Sequence, residues 1–479
     1  MEQTSGLTLR LGISSDDSLL SLLLYEGILR MLRGSPAKYN YNELVFDRSD
    51  AIQNAFRVFK EDTGERWGEL LDNLNQITTD INSWPSIARY FKRIGVDCKE
   101  FLEDYLTYCE SRSGGKNDKC QDNAERIKVY CGLSEGKASN KLVLPLGLVF
   151  KHTYKAFSSQ QATGITGVIN LEPVYSKGEI IIDKEAAGKN ERISFGLLKT
   201  DRYTGLNLWE FNRIDQQTTL YVSWRAFTIF LLGIAGSYVR SGYQNEHLLL
   251  FYKPEYLSSY MTGRASNIDP EFTGRLIQGK RTASDSLQEI YNYTNMPEIL
   301  SLALYTLPSL RALLTEQEDF NELSFNIVII KYEKMYKRYS GWTVELSRQD
   351  PLDKVARSMG STAAAKSSFK QTVADSVTCP ESPLLQAIGR WMSLREPDSH
   401  KALNSLIQLY RFYMTGSPSY FYDYIRSMYE AMEKCESSEE ARGCRWRAMQ
   451  YRKLLLCMGW IGSDKCSREL QLCDRQKGT

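Results

Sequence analysis

The spacing of apolar residues changes twice along this chain, and these two changes constrain its fold more than any other feature. Up to about residue 135 the spacing predicts helices, the first with an apolar stripe from Leu20 to Leu32 behind the capping residues Asp16 and Asp17. From about residue 141, short β-rich runs punctuated by Gly, Asn, Asp and Lys predict a sheet with hairpins. After Pro351 the helical spacing returns, with short breaks at Pro, Gly and Ser.

We therefore predict an α+β fold that is mostly helical. A chain of 479 residues is longer than one ordinary hydrophobic core supports, so we expect separate packed modules. The predicted modules are a helical N-terminal module (1–135), a mixed α/β module with a central sheet (136–350) and a C-terminal helical bundle (351–479).

The same patterns place the individual elements. Helices are predicted near 49–60, 65–80, 84–94, 98–110, 218–239, 297–314, 352–360, 366–376, 383–395, 399–415, 419–434, 438–459 and 464–474. Strands are predicted at 141–150, 164–171, 178–183, 193–198, 247–252 and 323–330. The stretch 258–286 is polar and contains Gly263, Gly274 and Gly279, so we interpret much of it as loop.

The overall charge excludes a global attraction to nucleic acid or to an anionic membrane. The chain has 60 basic and 58 acidic residues, a formal net charge of +2. Binding of a polyanion therefore needs positive charge that is segregated locally. The three histidines, His152, His247 and His400, are far apart in sequence, which argues against histidine-based catalysis and against a His-rich metal centre. We predict no metal and no cofactor.

No catalytic motif is found in the sequence. Residues 274–280 match G-x4-G-K, but Arg281 stands where a hydroxyl must bind magnesium, and no strand is predicted before the match. Ser367 and Lys370 fit S-x-x-K without the partner motifs that accompany it in serine enzymes. HExxH, GxSxG and GxGxxG are missing. We predict that the protein is not an enzyme, although carboxylates brought together only by the fold leave a hidden site open.

Two groups of cysteines carry an unusual pattern. Four of them, Cys98, Cys109, Cys120 and Cys131, lie eleven residues apart, and five more lie between residues 435 and 473. Because neither group contains CxxC or a nearby histidine, a structural zinc site has little support. Two local disulfides in each group would suit an intracellular protein of a hyperthermophilic archaeon. Buried free thiols are an equal alternative.

The most apolar run, Ala226 to Val239, does not predict a membrane span. It is shorter than the roughly 20 residues that a spanning helix needs, and Arg225 and Arg240 flank it. A buried core helix explains it better. The N-terminus has no basic stretch followed by an apolar one, so we expect no secretory signal and a cytoplasmic protein.

Positive charge is concentrated in four stretches. Residues 334–370 carry eight bases against three acids, with interleaved aromatic residues, and phosphate contacts and base stacking require that combination. The second stretch, 263–282, adds cations and amides beside glycines that let a ligand approach the backbone. The third, 151–155, is expected to be a loop after a strand. The candidate nucleic-acid-binding residues are Lys151, Lys155, Arg264, Asn267, Arg275, Gln278, Lys280, Arg281, Lys337, Arg338, Lys366 and Lys370.

Each of these stretches also has a plain structural explanation. Solvated helix faces carry many lysines and arginines, and aromatic residues between them often belong to a core. A surface loop with glycines needs no ligand. A fourth basic group near Arg442, Arg447 and Arg452 cannot place all its charges on one face of a helix.

Two segments resemble a known family. The opening from Ser14 to Arg33, with its acidic start and the glycine Gly27 in the first helix, and the apolar run from Trp224 to Tyr238, with Gly233 and Gly236, are similar to the large subunit of archaeal type I (I-A-like) CRISPR effector complexes, known as Cascade. The two segments cover about a tenth of the chain.

The resemblance implies a non-catalytic role in antiviral defence. Large subunits of this family bind crRNA and target double-stranded DNA, recognise the flanking motif and help to open the duplex. Their partners are the backbone and small subunits and a helicase-nuclease, without a membrane. In such a complex base pairing reads the target while protein reads only a short flank. No residue matches a family motif, so local chemistry alone leads us to expect that Asn267, Gln278, Lys280 and Arg281 form the flank-reading loop and that Lys366 and Lys370 hold phosphates.

An alternative function is open at this point. The chain could be a structural or adaptor protein, a viral one included, whose bundle and acidic N-terminal stretch (40–73) contact only other proteins.

Overall fold

The structure of the chain is a computed structural model. It describes residues 6–12, 18–79, 84–113, 118–136, 144–159, 165–176, 179–188, 192–194, 219–242, 246–316, 322–332, 337–358, 363–378, 385 and 399–437. The predicted α+β fold, mostly helical, is confirmed. Contacts divide the chain into two compact units: unit 1 contains Met1–Gly274 and Asn326–Gly341, and unit 2 contains Arg275–Phe325 and Trp342–Thr479. The division into modules at residues 135 and 350 stays a prediction.

Ten of the described helices begin before residue 290. They are α1 (Leu19–Gly34), α2 (Ala51–Thr63), α3 (Trp67–Leu74), α4 (Trp84–Ile94), α5 (Cys98–Ser113), α6 (Asp118–Tyr130), α7 (Leu146–Ser158), α8 (Trp224–Ser237), α9 (Pro254–Gly263) and α10 (Pro270–Tyr291). Those that follow are α11 (Pro297–Thr306), α12 (Pro308–Glu316), α13 (Pro351–Ser358), α14 (Ala363–Thr378), α15 (Ser399–Thr415) and α16 (Pro418–Ser437).

The strands form several small sheets. They are β1 (Leu7–Arg10), β2 (Ala37–Asn40), β3 (Glu43–Phe46), β4 (Thr78–Thr79), β5 (Leu144–Pro145), β6 (Gly167–Asn170), β7 (Val174–Ser176), β8 (Glu179–Ile182), β9 (Ile193–Ser194), β10 (Thr219–Val222), β11 (Tyr238–Ser241), β12 (Glu246–Tyr252), β13 (Glu322–Tyr332) and β14 (Lys337–Ser347). The sheet orders are β2-β3-β1-β6, β7-β8-β10-β9, β11-β12-β13-β14 and β4-β5.

The core of unit 1 is built around α1 and α8. Every residue of α1 from Leu19 to Leu32 is buried, because the helix is covered on all sides. The predicted caps Asp16 and Asp17 lie outside the described residues, and the hydroxyl of Ser18 accepts the first-turn hydrogen bond from the Ser21 amide, at 3.2 Å. The apolar run near 226–239 forms most of the buried helix α8 that was predicted, which Ser223 caps. The ends of the predicted helix (218–239) are instead parts of strands β10 and β11.

Glycines let these two helices meet at backbone distance. A Cβ at Gly233 would lie 2.0 Å from the carbonyl oxygen of Leu23, and a Cβ at Gly27 would lie 2.3 Å from that of Ile229. Only residues without a side chain allow such an approach. The two segments that carry the family resemblance, some 200 residues apart in sequence, therefore pack directly on each other.

Two sequence expectations about local structure are wrong. The predicted strand 141–150 and the loop after it form mainly helix α7, whose buried residues include Val149, Phe150, His152, Thr153 and Phe157 at helical spacing. The predicted loop at 258–286 is largely α9 and α10. The prediction gave weight to the polar residues and glycines of this stretch and overlooked its apolar residues at helical spacing. These residues share one face of the helix and are buried: Phe272, Leu276, Ala283, Leu287 and Ile290.

The N-terminal stretch also contains strands that the helical pattern did not predict. Strands β1, β2 and β3 have four residues each, too few for an alternating pattern to stand out beside the long apolar stripe of α1. In contrast, the predicted helix at 84–94 coincides with α4, and those at 399–415 and 419–434 coincide closely with α15 and α16. The predicted helices at 438–459 and 464–474, with Arg442, lie outside the described residues.

Disulfides join the two helices of one hairpin. Cys98 pairs with Cys131 (Cα–Cα 5.7 Å), and Cys109 pairs with Cys120 (Cα–Cα 6.0 Å), so α5 and α6 are linked near both ends. The disulfide alternative is confirmed for this group of cysteines. The cysteines after residue 434 lie outside what can be described, except that Cys435 is the third residue from the end of α16.

Among the described helices, none combines the length and the apolar character that crossing a membrane requires.

Candidate functional site

The predicted cations of α7 are held by acids of α5. The ammonium of Lys151 lies 2.7 Å from Asp104 Oδ2, and that of Lys155 forms an ion pair with Glu100. Both lysines are part of a helix and not of a loop that could wrap a phosphate. Their positive charge is largely compensated, so this face of α7 attracts a polyanion only weakly.

The histidine between these lysines has a structural environment. His152 is 2% exposed, and its Nε2 lies 2.8 Å from Asp104 Oδ2. Burial lowers the pKa of His152, and the Asp104 carboxylate opposes part of this effect. Burial also acts to raise the pKa of Asp104, but the hydrogen bond and charge of Lys151, together with His152, lower it below its usual value. The group therefore fixes α7 to α5 as an ion-paired network.

The predicted flank-reading residues at 264–281 are distributed over a turn and a helix. The guanidinium of Arg264 lies over the ring of Phe272, 4.5 Å from its centroid, and Asn267 is exposed in the turn before α10. On α10 itself, Arg275 and Gln278 are exposed and Arg281 is half-buried. Because the helix is continuous through this stretch, the G-x4-G-K match forms no phosphate loop.

Lys280 is buried, with 1% of its surface exposed. In this conformation it presents no charge to solvent and cannot contact a phosphate of an external ligand. The role inferred for Lys280 from local chemistry would require the helix to rearrange.

The basic stretch 334–370 is described only in part. Lys370 Nζ lies 2.8 Å from Asp353 Oδ1 and 3.1 Å from Asp350 Oδ2. Burial acts to lower the pKa of Lys370, but the two carboxylates outweigh it and raise the pKa above its usual value. Lys337, Arg338 and Lys366 belong to β14 and α14, but their side chains lie outside the described part of the chain.

A basic helix face that sequence reasoning missed lies on α4. Arg89, Lys92 and Arg93 are all exposed and, spaced by three and four residues, share one side of the helix. The opposite side is apolar and completely buried: Ile87, Tyr90, Phe91 and Ile94. No acidic residue occurs within α4. We call Arg89, Lys92 and Arg93, with Trp224, the α4 basic face.

Two cations of the α4 basic face differ from the predicted cations Lys151, Lys155 and Lys370, which form ion pairs with acids. Within the part of the chain that is described, Arg89 and Lys92 make no hydrogen bond or ion pair with an acid. The guanidinium of Arg93 lies over the half-buried indole of Trp224, 5.8 Å from the ring centroid. Positive charge and an aromatic surface are thus adjacent on this side of α4.

Buried hydrogen bonds hold α4 in position beneath this face. The hydroxyl of Tyr90 lies 3.3 Å from Thr153 Oγ1 on α7 and 3.2 Å from Thr228 Oγ1 on α8. Burial raises the pKa of Tyr90 above its ordinary value, so the hydroxyl stays protonated. The cations are consequently presented from a helix with a fixed orientation in unit 1.

A buried ion pair fixes the start of α8, where Trp224 lies. The Asp183 carboxylate accepts two hydrogen bonds from Arg225, at 2.8 and 2.9 Å, and one from the Ser223 hydroxyl, at 2.5 Å. Asp183 is 1% exposed and has a φ of 55°, which is unfavourable for a residue with a side chain. It follows β8, whose parallel neighbour β10 leads into Ser223. This contact joins the sheet to the central helix.

The sequence contained a signal for the α4 basic face. Three bases occur within the eleven residues of α4, against no acid, and the helix itself was predicted. Over a longer stretch of sequence, the neighbouring acids Asp80, Asp97 and Glu100 offset this local excess of bases. In the described part of the chain, no group of three or more His, Cys, Asp or Glu residues could hold a metal ion.

Comparisons with known proteins add one relative. An uncharacterized protein of Archaeoglobus fulgidus is 22% identical over 467 residues, covering 95% of this chain and 100% of that relative. No protein-family model matches the chain. No solved structure matches it either.

Proposed function

We propose that the chain is a non-catalytic, nucleic-acid-binding large subunit of a CRISPR RNA-guided surveillance complex, which binds the flank of its double-stranded DNA target and helps to open the duplex. The observation that carries the proposal is the α4 basic face, where three exposed cations lie beside an indole in a chain that is nearly neutral overall. Its proposed partners are crRNA, target DNA, the backbone and small subunits and a helicase-nuclease.

The chemistry of the α4 basic face suits a phosphate backbone. Arginine and lysine contacts to phosphates supply most of the sequence-independent affinity for nucleic acid and release bound counterions. Cations in the last turn of a helix also stabilise that helix by about 0.3–1 kcal/mol each. Lys92 and Arg93 lie in the last turn, but Arg89 does not, so helix stabilisation alone leaves Arg89 unexplained.

The assignment to a CRISPR complex rests on the resemblance of two segments, which pack on each other in unit 1. Gly27 and Gly233, one from each segment, lie where α1 and α8 approach most closely. The relative from Archaeoglobus fulgidus matches nearly the whole chain and is archaeal, as the resemblance implies.

The first experiment compares two variants that remove the same amount of charge. Arg89→Ala/Lys92→Ala/Arg93→Ala removes the three cations of the α4 basic face. Lys128→Ala/Lys151→Ala/Lys155→Ala removes three lysines of unit 1 that form ion pairs with Glu125, Asp104 and Glu100. Fluorescence anisotropy of a labelled 30-base-pair duplex is recorded for each protein between 50 and 300 mM salt.

The salt dependence distinguishes the two sets of cations. Each cation that neutralises one phosphate contributes roughly 0.9 to the steepness of the plot of log affinity against log salt concentration. If all three cations of the α4 basic face do so, their removal should make this plot less steep by about 2.7. The ion-paired set should change that slope by less than about 1. Equal effects of both variants would contradict the proposal that the α4 basic face is the binding surface.

A second experiment tests the complex itself. The chain is co-expressed with the products of the neighbouring genes and purified through a tag. We expect a discrete guide-length RNA and smaller subunits to co-purify. A chain that binds duplex DNA but never associates with RNA or with other subunits would contradict the assignment to a surveillance complex.

A protein-binding adaptor is the second candidate, and the ion pairs of the predicted cations favour it. Lys151, Lys155 and Lys370 are neutralised by acids, and Lys280 is buried. An adaptor predicts no binding of DNA or RNA at any salt concentration together with stable co-purification of a protein partner. The wild-type anisotropy measurement at 50 mM salt therefore separates the two candidates.

A further inference from the structure

The hairpin of β2 and β3 ends in an aromatic side chain that faces solvent almost entirely. Tyr41 is 94% exposed, more than the other large hydrophobic residues among those described. It belongs to the two-residue turn between Asn40 and Glu43, which pair with each other across the hairpin. An aromatic ring in this position buries no surface and adds nothing to the core.

The backbone of the turn does not explain the tyrosine. Tyr41 has a φ of 45° and Asn42 a φ of 67°, so both residues adopt left-handed conformations, as in a type I′ turn. Such turns favour Asn, Asp or Gly, and a bulky residue at positive φ is disfavoured. The ring is therefore present although the turn disfavours it, which is the pattern of residues retained for a contact with a ligand or partner.

The tip of the hairpin is braced on several sides. The Tyr39 hydroxyl donates a hydrogen bond to Asn42 Oδ1 at 3.1 Å, and the Leu11 amide donates to the Asn42 carbonyl at 2.7 Å. On the outer edge, the Tyr39 amide donates to the Ala265 carbonyl at 2.8 Å. The ring of Tyr41 is thus carried by a rigid support, which lowers the entropy lost when it binds.

The surroundings of the ring are polar and electrically balanced. Asn40 and Asn42 are exposed on either side of Tyr41. The nearby cations are compensated, because Arg10 pairs with Glu43 at 2.8 Å and Lys38 with Asp47 at 3.4 Å. A nucleobase offers a flat face for the ring and polar edges for the two exposed amides.

We propose that Tyr41 is a stacking platform for an unpaired nucleobase, with Asn40 and Asn42 placed to meet the edges of that base. This inference rests on the proposed nucleic-acid-binding function and adds a second contact to it. The contact acts on single-stranded segments, since bases in a duplex are already stacked. Because the hairpin has no excess charge, its contribution to affinity should be independent of salt.

The experiment uses Tyr41→Asn and Tyr41→Phe, with Tyr422→Ala as the matched control. Asparagine removes the ring and suits the left-handed backbone, so the variant folds, and phenylalanine keeps the ring. Among the described residues, Tyr422 is a second tyrosine with a strongly exposed side chain, at 61%. The probe is a 20-nucleotide oligo(dT) with 2-aminopurine at one position, whose fluorescence falls when the base stacks.

Stacking predicts a defined pattern of results. Tyr41→Asn should weaken binding of the single strand about 5- to 150-fold and abolish the quenching of 2-aminopurine, with an unchanged salt slope. Tyr41→Phe and Tyr422→Ala should stay within about 2-fold of the wild type. The α4 triple variant should show the opposite signature, an altered salt slope with quenching retained at saturation.

Three results would overturn the inference. Binding of the single strand by Tyr41→Asn with wild-type affinity and quenching would remove Tyr41 as a platform and leave the proposed function in place. Loss of a co-purifying subunit from Tyr41→Asn with unchanged DNA binding would assign the ring to a protein pocket. Wild-type protein that binds neither single strands nor duplex would overturn both proposals together.

Discussion

Replacing Gly233 by alanine should destabilise unit 1, although the same change stabilises most helices. An added Cβ would lie 2.0 Å from the Leu23 carbonyl oxygen, about 1.4 Å inside the shortest ordinary contact. The obstacle is backbone of α1, which cannot rotate away as a side chain can. The two helices must therefore separate, and this loosens contacts along both of them.

The expected free energies can be estimated from the two opposing effects. Forcing extra volume into a packed core costs about 1–3 kcal/mol, and the upper end applies where backbone is the obstacle. The gain in helix propensity from glycine to alanine is about 1 kcal/mol. Gly233→Ala should therefore lower the free energy of unfolding by about 2 kcal/mol.

Gly68 provides a matched control for this prediction. It lies in α3, and a Cβ added there would meet no atom within 4 Å. Gly68→Ala should raise the free energy of unfolding by up to about 1 kcal/mol. The difference between the two variants, about 3 kcal/mol, isolates the contact of α1 with α8, because the propensity gain is shared.

Urea unfolding followed by circular dichroism compares the variants, and hydrogen exchange locates the effect. In Gly233→Ala, amides of α1 and α8 should exchange faster than in the wild type, because separation of the helices favours local opening. Gly233→Ala as stable as Gly68→Ala would refute the inferred close approach, and with it the argument that the two glycine-containing segments form one packing unit.

Three further predictions follow from other parts of unit 1. Asp183→Ala should lower the free energy of unfolding by about 3–5 kcal/mol in urea, because Arg225 is left largely buried without its carboxylate; a loss below 1 kcal/mol would show that the pair is dispensable. Reduction of the disulfides should also destabilise the chain, because the bond from Cys98 to Cys131, with a separation of 33 residues, contributes about 4 kcal/mol to the free energy of unfolding. Equal urea midpoints with and without reductant would contradict this stabilising role of the disulfide. Burial lowers the pKa of His152, so this histidine binds a proton more readily in the unfolded chain than in the folded one. The free energy of unfolding should therefore decrease as pH falls below about 6.5, by at most about 1.4 kcal/mol per pH unit. His152→Gln should flatten this pH dependence, and identical pH profiles of the variant and the wild type would count against the prediction.

The family resemblance rests on two segments that the structure brings together. The candidate nucleic-acid-binding residues were instead chosen by local charge. Charge in sequence does not reveal which acid will be adjacent after folding, and Asp104 lies 47 residues from the lysine that it neutralises. The sequence shows the local excess of bases in α4, but only the tertiary structure decides which side of this helix is buried and that the three cations are exposed.

The sequence by itself determined the mostly helical α+β class, the buried helix at 226–239 and helix α4, because these depend on periodicities that repeat over many residues of one segment. Tertiary structure alone decided that 146–158 is helical, that Lys280 is buried and that Tyr41 ends a hairpin. Short strands, buried side chains and ion pairs depend on partners that are distant in the chain, and they are stabilised only when folding brings those partners into contact.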